Sequence, residues 1–382
     1  MDKPSASSQD GVEARKVAID CIRRIDEYES YANIVLVNAF KKSNFEQRDK
    51  NLITEIVYGA TRMQRALDWA VDRYLMKSPP TALRASLRIG AYQLLYTRIP
   101  PHAAVSTTVE ASSRKNRGVV NAVLRRVAES VPIEWPNESI RLSYPDWLIE
   151  LVESEQGVRE GQEMLEYMNI SPPVTERDDG YIQDLSSQWV VENIDIQPNE
   201  MILDLCAAPG GKATAMASNG AYVVASDLHH SRSRRMAENV KRLRTDQVFQ
   251  VTTDGVEPCF GESMFDKVLV DAPCSGLGVL HRRADARWRI KRSDIDNLAT
   301  LQLKLLRSAK NLVKPGGELI YSVCTITEAE TSNVVESFTK SVDGLSPVAI
   351  NDPRWRKKDG GAFLLPQDHG TDGMCMFKWI VE

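Results

Sequence analysis

The chain has 382 residues, 42% hydrophobic and 26% charged, a balance that excludes a disordered or fibrous protein and allows two or three domains. Its net charge of -4 does not by itself point to nucleic acid, and its six cysteines contain no C-x-x-C pair, so neither a zinc site nor a disulfide frame is expected. No run approaches the ~18 apolar residues of a membrane span, and the opening MDKPSASSQDGVEARK lacks a secretory apolar stretch, so the expectation is a cytoplasmic chain with no membrane or metal partner.

Residues 1–131 read as helices, because apolar positions recur at three-to-four spacing in VEARKVAIDCIRRI, NLITEIVYGATRM and LRASLRIGAYQLLY. Pro79-Pro80 and Pro100-Pro101 punctuate the pattern, giving a bundle of about six or seven helices without a catalytic constellation. His102 reads as structural, and Arg114, Lys115, Arg117, Arg125 and Arg126 give the bundle a basic side. Residues 132–182 form a connecting region of two further helices, SYPDWLIELVESEQ and GVREGQEMLEYM, followed by a loop, SPPVTERDDGY.

From residue 183 to 382 the texture changes. MILDLC, AYVVASD, QVFQVTTD, DKVLVDA and GELIYSVC are strand-like, and helix-like segments alternate with them, which predicts a doubly wound, mostly parallel sheet. MCMFKWIV supplies a final strand, antiparallel in such folds. Three basic clusters, His229 to Arg244, His281 to Arg292 and Arg354 to Lys358, combine phosphate-neutralising charge with Trp288 and Trp355, a pattern suited to RNA or to a solvated surface.

The chemistry gathers at strand ends, where open α/β sheets hold ligands. Strand one runs into the small-residue turn Cys206, Ala207, Ala208, Pro209, Gly210, Gly211 and Lys212, which lets a ligand approach the backbone and the amides of a helix start. The turn matches neither a dinucleotide nor an NTP phosphate cradle. Asp227 and Asp254 end the next two strands, where carboxylates suit a ribose diol and an adenine amine, and the set implies S-adenosylmethionine as cofactor. Strand four ends in DAPCSGLG, placing Asp271 and Cys274 beside Cys324 at the end of strand five. Thr327, with Glu330 three residues on, reads as a capping box opening the next helix. Cytosine carbon 5 is a poor nucleophile until a thiolate adds at carbon 6. Two thiols and a carboxyl group, protonated when needed, beside a methyl donor suit that chemistry.

DLCAAPGGK, VDAPCSGLGV and YSVCT, with QDLSSQ and LLPQDHGTDG, resemble the Sun/RsmB (Fmu) family of RNA cytosine-5 methyltransferases. YQLLYTRIPPHAAVSTTVEASSRKNRGVVNAVLRRV resembles the NusB-like domain of its bacterial 16S rRNA members. The resemblance implies an α plus α/β protein: an N-terminal all-helical NusB-like bundle, then a class I (Rossmann-like) methyltransferase domain. It implies Cys324 as nucleophile, Cys274 as the cysteine that frees the product and Asp271 facing the base. It further implies residues 206–212, Asp227, Asp254 and Asp271 around S-adenosylmethionine, and small-subunit ribosomal RNA as the partner of a monomer.

The chain departs from the pattern between Pro173 and Gln183, where nine residues stand in place of a small subdomain that helps hold RNA. Val323 and Thr325 stand where the family commonly has Thr and Ser, and Met374-Cys375 replace an aromatic pair. A DNA cytosine methyltransferase, or a non-catalytic RNA-binding assembly protein that keeps the fold, is the alternative reading.

Overall fold

The computed structural model describes residues 6–41, 43–358 and 360–382; the first five residues of the stretch searched for a secretory segment lie outside these. The chain divides into two compact units, one running to Leu151 and including His281–Arg289, the other made of Val152–Leu280 and Ile290–Glu382. The sequence boundaries at 131 and 182 fall elsewhere, because compactness follows contacts rather than chain order.

The first unit is helical: α1 (Ala6–Tyr28), α2 (Ala32–Lys41), α3 (Gln47–Arg62), α4 (Gln64–Asp72), α5 (Thr81–Tyr96), α6 (Pro101–Ala111), α7 (Arg117–Glu129), α8 (Glu138–Leu142) and most of α9 (Asp146–Gln156). The proline pairs act as read: Pro80 precedes α5, and Pro101 occupies the first turn of α6, where its missing N–H has no helical partner to lose. Ala14, Ala18, Cys21, Ile22 and Ile25 of α1 lie on one face and are buried, the spacing that makes this helix the bundle's spine.

The basic cluster His281–Arg292 contributes to this unit from within. In the short α14 (Ala286–Arg289), Arg287 is fully buried with its guanidinium 3.9 Å from the Tyr144 ring centroid. Trp288 Nε1 donates to Thr61 O at 2.7 Å, Arg62 donates to His281 O at 2.8 Å, and Arg289 donates to the carbonyls of Glu29 and Ser30. These charges and this ring are engaged internally, which corrects the reading of the whole stretch as a phosphate grip.

The second unit opens with the end of α9, then α10 (Val158–Tyr167) and α11 (Leu185–Glu192). The α/β part follows as β1 (Met201–Asp204), α12 (Gly211–Ser218), β2 (Tyr222–Asp227), α13 (His230–Leu243), β3 (Val248–Thr252), β4 (Phe265–Asp271), α15 (Arg292–Leu312), β5 (Val313–Val323) and α16 (Ser332–Ser341). It closes with β6 (Leu345–Pro347), β7 (Arg356–Lys358), β8 (Gly361–Leu364), α17 (Pro366–His369) and β9 (Met374–Val381). Strand order is β3-β2-β1-β4-β5-β9-β8-β7, with β6 also paired to β9; β1 to β5 are parallel and β9 runs antiparallel to β5. The expected final antiparallel strand is β9, while β6, β7 and β8 lacked a readable alternation.

Successive residues of a strand point to opposite faces, so both faces of this sheet need an apolar cover. Ile202, Val223, Ala225, Leu269 and Ile320 meet α11 and α12 on one side, while Leu203, Val268, Val270, Leu319 and Tyr321 meet α15 and α16 on the other. The cluster RWRKK lies here and is also largely internal: Trp355 is buried, Arg354 pairs with Asp352 and Glu192, and Arg356 pairs with Glu160 and Asp368.

Candidate active site

The turn after β1 is held from three directions. Gly210, at φ 98°, takes the left-handed conformation that starts α12, and its N–H donates to Ala207 O at 2.7 Å. Arg232 donates to Ala208 O, Asn239 to Pro209 O, and Arg177 to Gly211 O at 2.6 Å. Arg177 was not singled out by the sequence. It sits in the residues read as a loop, which form a tight hairpin bridged at Glu176 and Ile182, and it also donates to Gln183 Oε1 and Thr214 Oγ1.

Asp204, at the end of β1, is buried, and neither carboxylate oxygen has a hydrogen-bond partner among the described residues. Burial, then repulsion from Asp271 and Asp227, push its carboxyl up to about 8, with Lys212 opposing. Asp227 ends β2 as expected, buried, with Oδ1 accepting from His229 N and Oδ2 3.5 Å from Arg232. Asp254 lies two residues beyond β3 rather than at its end; it is exposed, and Oδ1 accepts from Val256 N, closing its own turn. A backbone turn of small residues, a helix start and surplus buried carboxylate fit a cofactor carrying both an anionic and a cationic group. Cys206 is only partly exposed, and burial followed by the acids around it raises its thiol pKa, so it stays protonated as part of the turn.

Register brings the chemistry of β4 and β5 together. Asp271 pairs across the sheet with Ser322, so the loops that follow leave the same edge side by side. Cys274 Sγ and Cys324 Sγ are 3.2 Å apart. Gly278 N donates to Cys324 O, and Gly373 N donates to Gly278 O at 2.8 Å; a Cβ on Gly278 would stand 2.4 Å from Gly373 O. The segments DAPCSGLG and LLPQDHGTDG thus meet backbone to backbone beside the sulfurs. Cys375 Sγ donates weakly to Thr325 O, placing the Met374-Cys375 replacement in the same packing.

Asp271 Oδ1 accepts from Ser322 Oγ at 2.7 Å, and Oδ2 is 2.7 Å from Lys212 Nζ. Burial works against the Lys212 charge, but Asp271, Cys324 and Asp204 outweigh it and raise its pKa. Asp271 is thus ion-paired with Lys212, whose ammonium is a second group at this edge able to donate a hydrogen bond. Lys212, read from the sequence as a cofactor contact, faces Cys324 as well. Cys274 has its pKa raised by its hydrogen bond to Cys324, then by burial, then by the charges of Cys324 and Glu330. The two sulfurs are within hydrogen-bond distance, and this contact with burial favours the thiol form of Cys274.

The anticipated capping box does not form. Thr327 and Glu330 bracket a short 3-10 turn (Glu328–Glu330), α16 begins only at Ser332, and the Glu330 carboxylate is directed inward.

Comparison with known proteins finds two families along the chain. Residues 191–380 match the family described as 16S rRNA methyltransferase RsmB/F, and residues 12–129 match the NusB family. A probable ribosomal RNA small subunit methyltransferase B of Synechocystis sp. is 32% identical, covering 95% of this chain and 98% of that protein, and the ribosomal RNA small subunit methyltransferase B of Cronobacter sakazakii is 32% identical over 97% and 99%. The Synechocystis alignment spans 439 positions, more than the chain's own 382 residues, so part of that relative has no counterpart here. The crystal structure of PH0851 shares the fold across 100% of this chain and 99% of that one, with a TM-score of 0.76 at 23% identity.

Proposed function

Because this chain belongs to the family of 16S rRNA methyltransferases RsmB/F and carries a NusB-family domain, we propose that it methylates carbon 5 of a cytosine in small-subunit ribosomal RNA through a covalent Cys324–carbon 6 adduct. S-adenosylmethionine is the methyl donor and supplies, when bound, the methyl group of its sulfonium. The turn 206–212, Asp204, Asp227 and Asp254 are the residues to hold it.

The observation that carries this reading is the sulfur pair at 3.2 Å, of which one sulfur neighbours the Lys212–Asp271 ion pair. Cys324 thiolate adds to carbon 6; the S–C6 bond forms, and the C5=C6 electron pair becomes available at carbon 5. Lys212 offsets the charge that develops on the ring, and Asp271 accepts from the exocyclic amine. Once Cys324 is a neutral thioether, its charge no longer raises the Cys274 pKa, and Cys274 loses its proton to solvent. With carbon 5 then bearing the methyl group as well as its hydrogen, the Cys274 thiolate takes that hydrogen as a proton, the C5–H electron pair restores the C5=C6 double bond, the S–C6 bond breaks and its electron pair returns to Cys324. The target base must be unpaired or flipped out to reach the half-buried sulfurs.

Bisulfite sequencing of ribosomal RNA from cells with and without the chain tests the product. Cys324→Ala abolishes methylation, whereas Cys274→Ala accumulates a protein–RNA adduct that survives denaturation. Equal RNA binding by every form, with neither methylation nor adduct, would leave a non-catalytic assembly protein as the reading.

A further inference from the structure

Two loops leaving different strands hold their sulfurs 3.2 Å apart, and neither loop is regular enough to do so alone. The residue after each cysteine leads to the same group. Ser275 N donates to Glu330 Oε1 at 2.8 Å and Ser275 Oγ to Oε2 at 2.5 Å. Thr325 Oγ1 donates to Oε2 at 3.1 Å, and Ser275 Oγ and Thr325 Oγ1 are 2.8 Å from each other. Thr327 Oγ1 at 2.9 Å and Gln302 Nε2, from α15, at 3.1 Å complete five bonds to one carboxylate that is fully buried. Gln302 also donates to Pro273 O, on the other side of Cys274, and Tyr321 Oη donates to Glu330 O at 2.7 Å, fixing the acid's own backbone to β5.

We propose that Glu330 is a positioning residue of the two-cysteine centre: its carboxylate sets the distance between Cys274 and Cys324 by holding the residue that follows each. All five of its partners donate, so an anion satisfies the whole set, and an apolar replacement strands a buried backbone N–H and three hydroxyl groups. Its charge has a second effect, since Glu330 is one of the groups that favour the thiol form of Cys274. The other titratable groups around this pair are Cys324 and Tyr321 against Cys274, and Glu155, Cys375 and Tyr321 against Glu330. The role in catalysis rests on the methyltransfer reading above, whereas the role in setting the sulfurs does not.

Two variants separate geometry from charge. Glu330→Gln retains the Oε1 acceptor for Ser275 N and Gln302, while its amide donates toward three hydroxyls that can rotate to accept, so it folds and loses only the charge. Glu330→Ala loses both. In the Cys324→Ala background, the pH midpoint of Cys274 alkylation by iodoacetamide falls on going to Glu330→Gln; an unmoved midpoint overturns the electrostatic role. In the full-length enzyme, Glu330→Ala lowers kcat at least a hundredfold with the KM for RNA within threefold. Combined with Cys274→Ala, it also reduces trapped adduct at least tenfold. Retention of kcat within threefold by Glu330→Ala overturns the positioning role; should Glu330→Ala not fold, Ser275→Ala combined with Thr325→Val, which keeps the acid but releases the residue after each cysteine, decides it with an expected tenfold fall in kcat. If the parent enzyme makes no 5-methylcytosine and Cys274→Ala traps nothing, the methyltransfer reading fails, and the alkylation midpoint still judges Glu330.

Discussion

At the scale of single residues, environment rather than identity separates the acids of the site. Asp271 has a cation 2.7 Å away, Glu330 has five donors, and Asp204 is buried with no partner for either oxygen among the described residues. A carboxyl moved from 3.8 to about 8 holds in the folded state a proton that the unfolded chain has already released. Its contribution to stability is therefore complete below pH ~4 and is lost progressively as pH rises to about 8. Asp204→Asn, neutral throughout, escapes that loss, so in the absence of cofactor the stability of the variant relative to the parent should climb between pH 5 and 8 and then level off. Urea midpoints across pH 5 to 9 measure this, and parallel curves would refute it. Cys324, Cys274 and Asp271 were legible in the sequence because strand-end motifs fix their place along the chain. Glu330 was misread because a capping box is recognised by spacing alone. The choice of donors for a carboxylate is made by Ser275 and Gln302, which lie 55 and 28 residues away.

Elements are positioned by a few backbone contacts that sequence patterns do not mark. The hairpin between Pro173 and Gln183 is so short that it leaves no room for a subdomain, and it places Arg177 against the carbonyl of Gly211 and the hydroxyl of Thr214 in α12. A hydrogen bond from a charged donor is worth roughly 1.5–3 kcal/mol. Since Arg177 acts on the cofactor turn indirectly, Arg177→Ala should weaken S-adenosylmethionine binding by about tenfold, or ~1.4 kcal/mol, with unfolding temperature little changed. Titration calorimetry is the measurement; unchanged affinity would mean that the turn is rigid without its clamp. The short strands β6, β7 and β8 stayed hidden because three or four residues contain too little alternation to read, and it is pairing to β9 that makes them strands.

At the scale of the whole molecule, a net charge of -4 coexists with basic surfaces that tertiary contacts leave open, Arg114, Lys115, Arg117, Arg125 and Arg126 of the bundle among them. Of the three clusters read in the sequence, His281–Arg292 turns Arg287 and Arg289 inward while Arg283, Lys291 and Arg292 stay exposed, and Arg354–Lys358 is mostly paired with carboxylates. The third forms α13, where Arg234, Arg235, Lys241 and Arg242 are exposed against the acid Glu238. Replacing Arg235 and Lys241 together by Glu should weaken RNA binding at least tenfold at low salt, reduce the slope of affinity against salt by about two, and leave S-adenosylmethionine affinity unaltered. Filter binding across a salt series tests this, and an unchanged slope would place the RNA elsewhere. The amino-acid sequence by itself determined the helical and α/β halves, the parallel core with its antiparallel last strand, and the strand-end cysteines. These follow from periodicity and turn chemistry, which act over a few residues. Only the tertiary structure decided which charges face inward and which acid holds the residues beside the sulfurs. A charged side chain is satisfied by whatever lies within about 3 Å, and that partner can be as remote along the chain as the 219 residues separating Arg62 from His281.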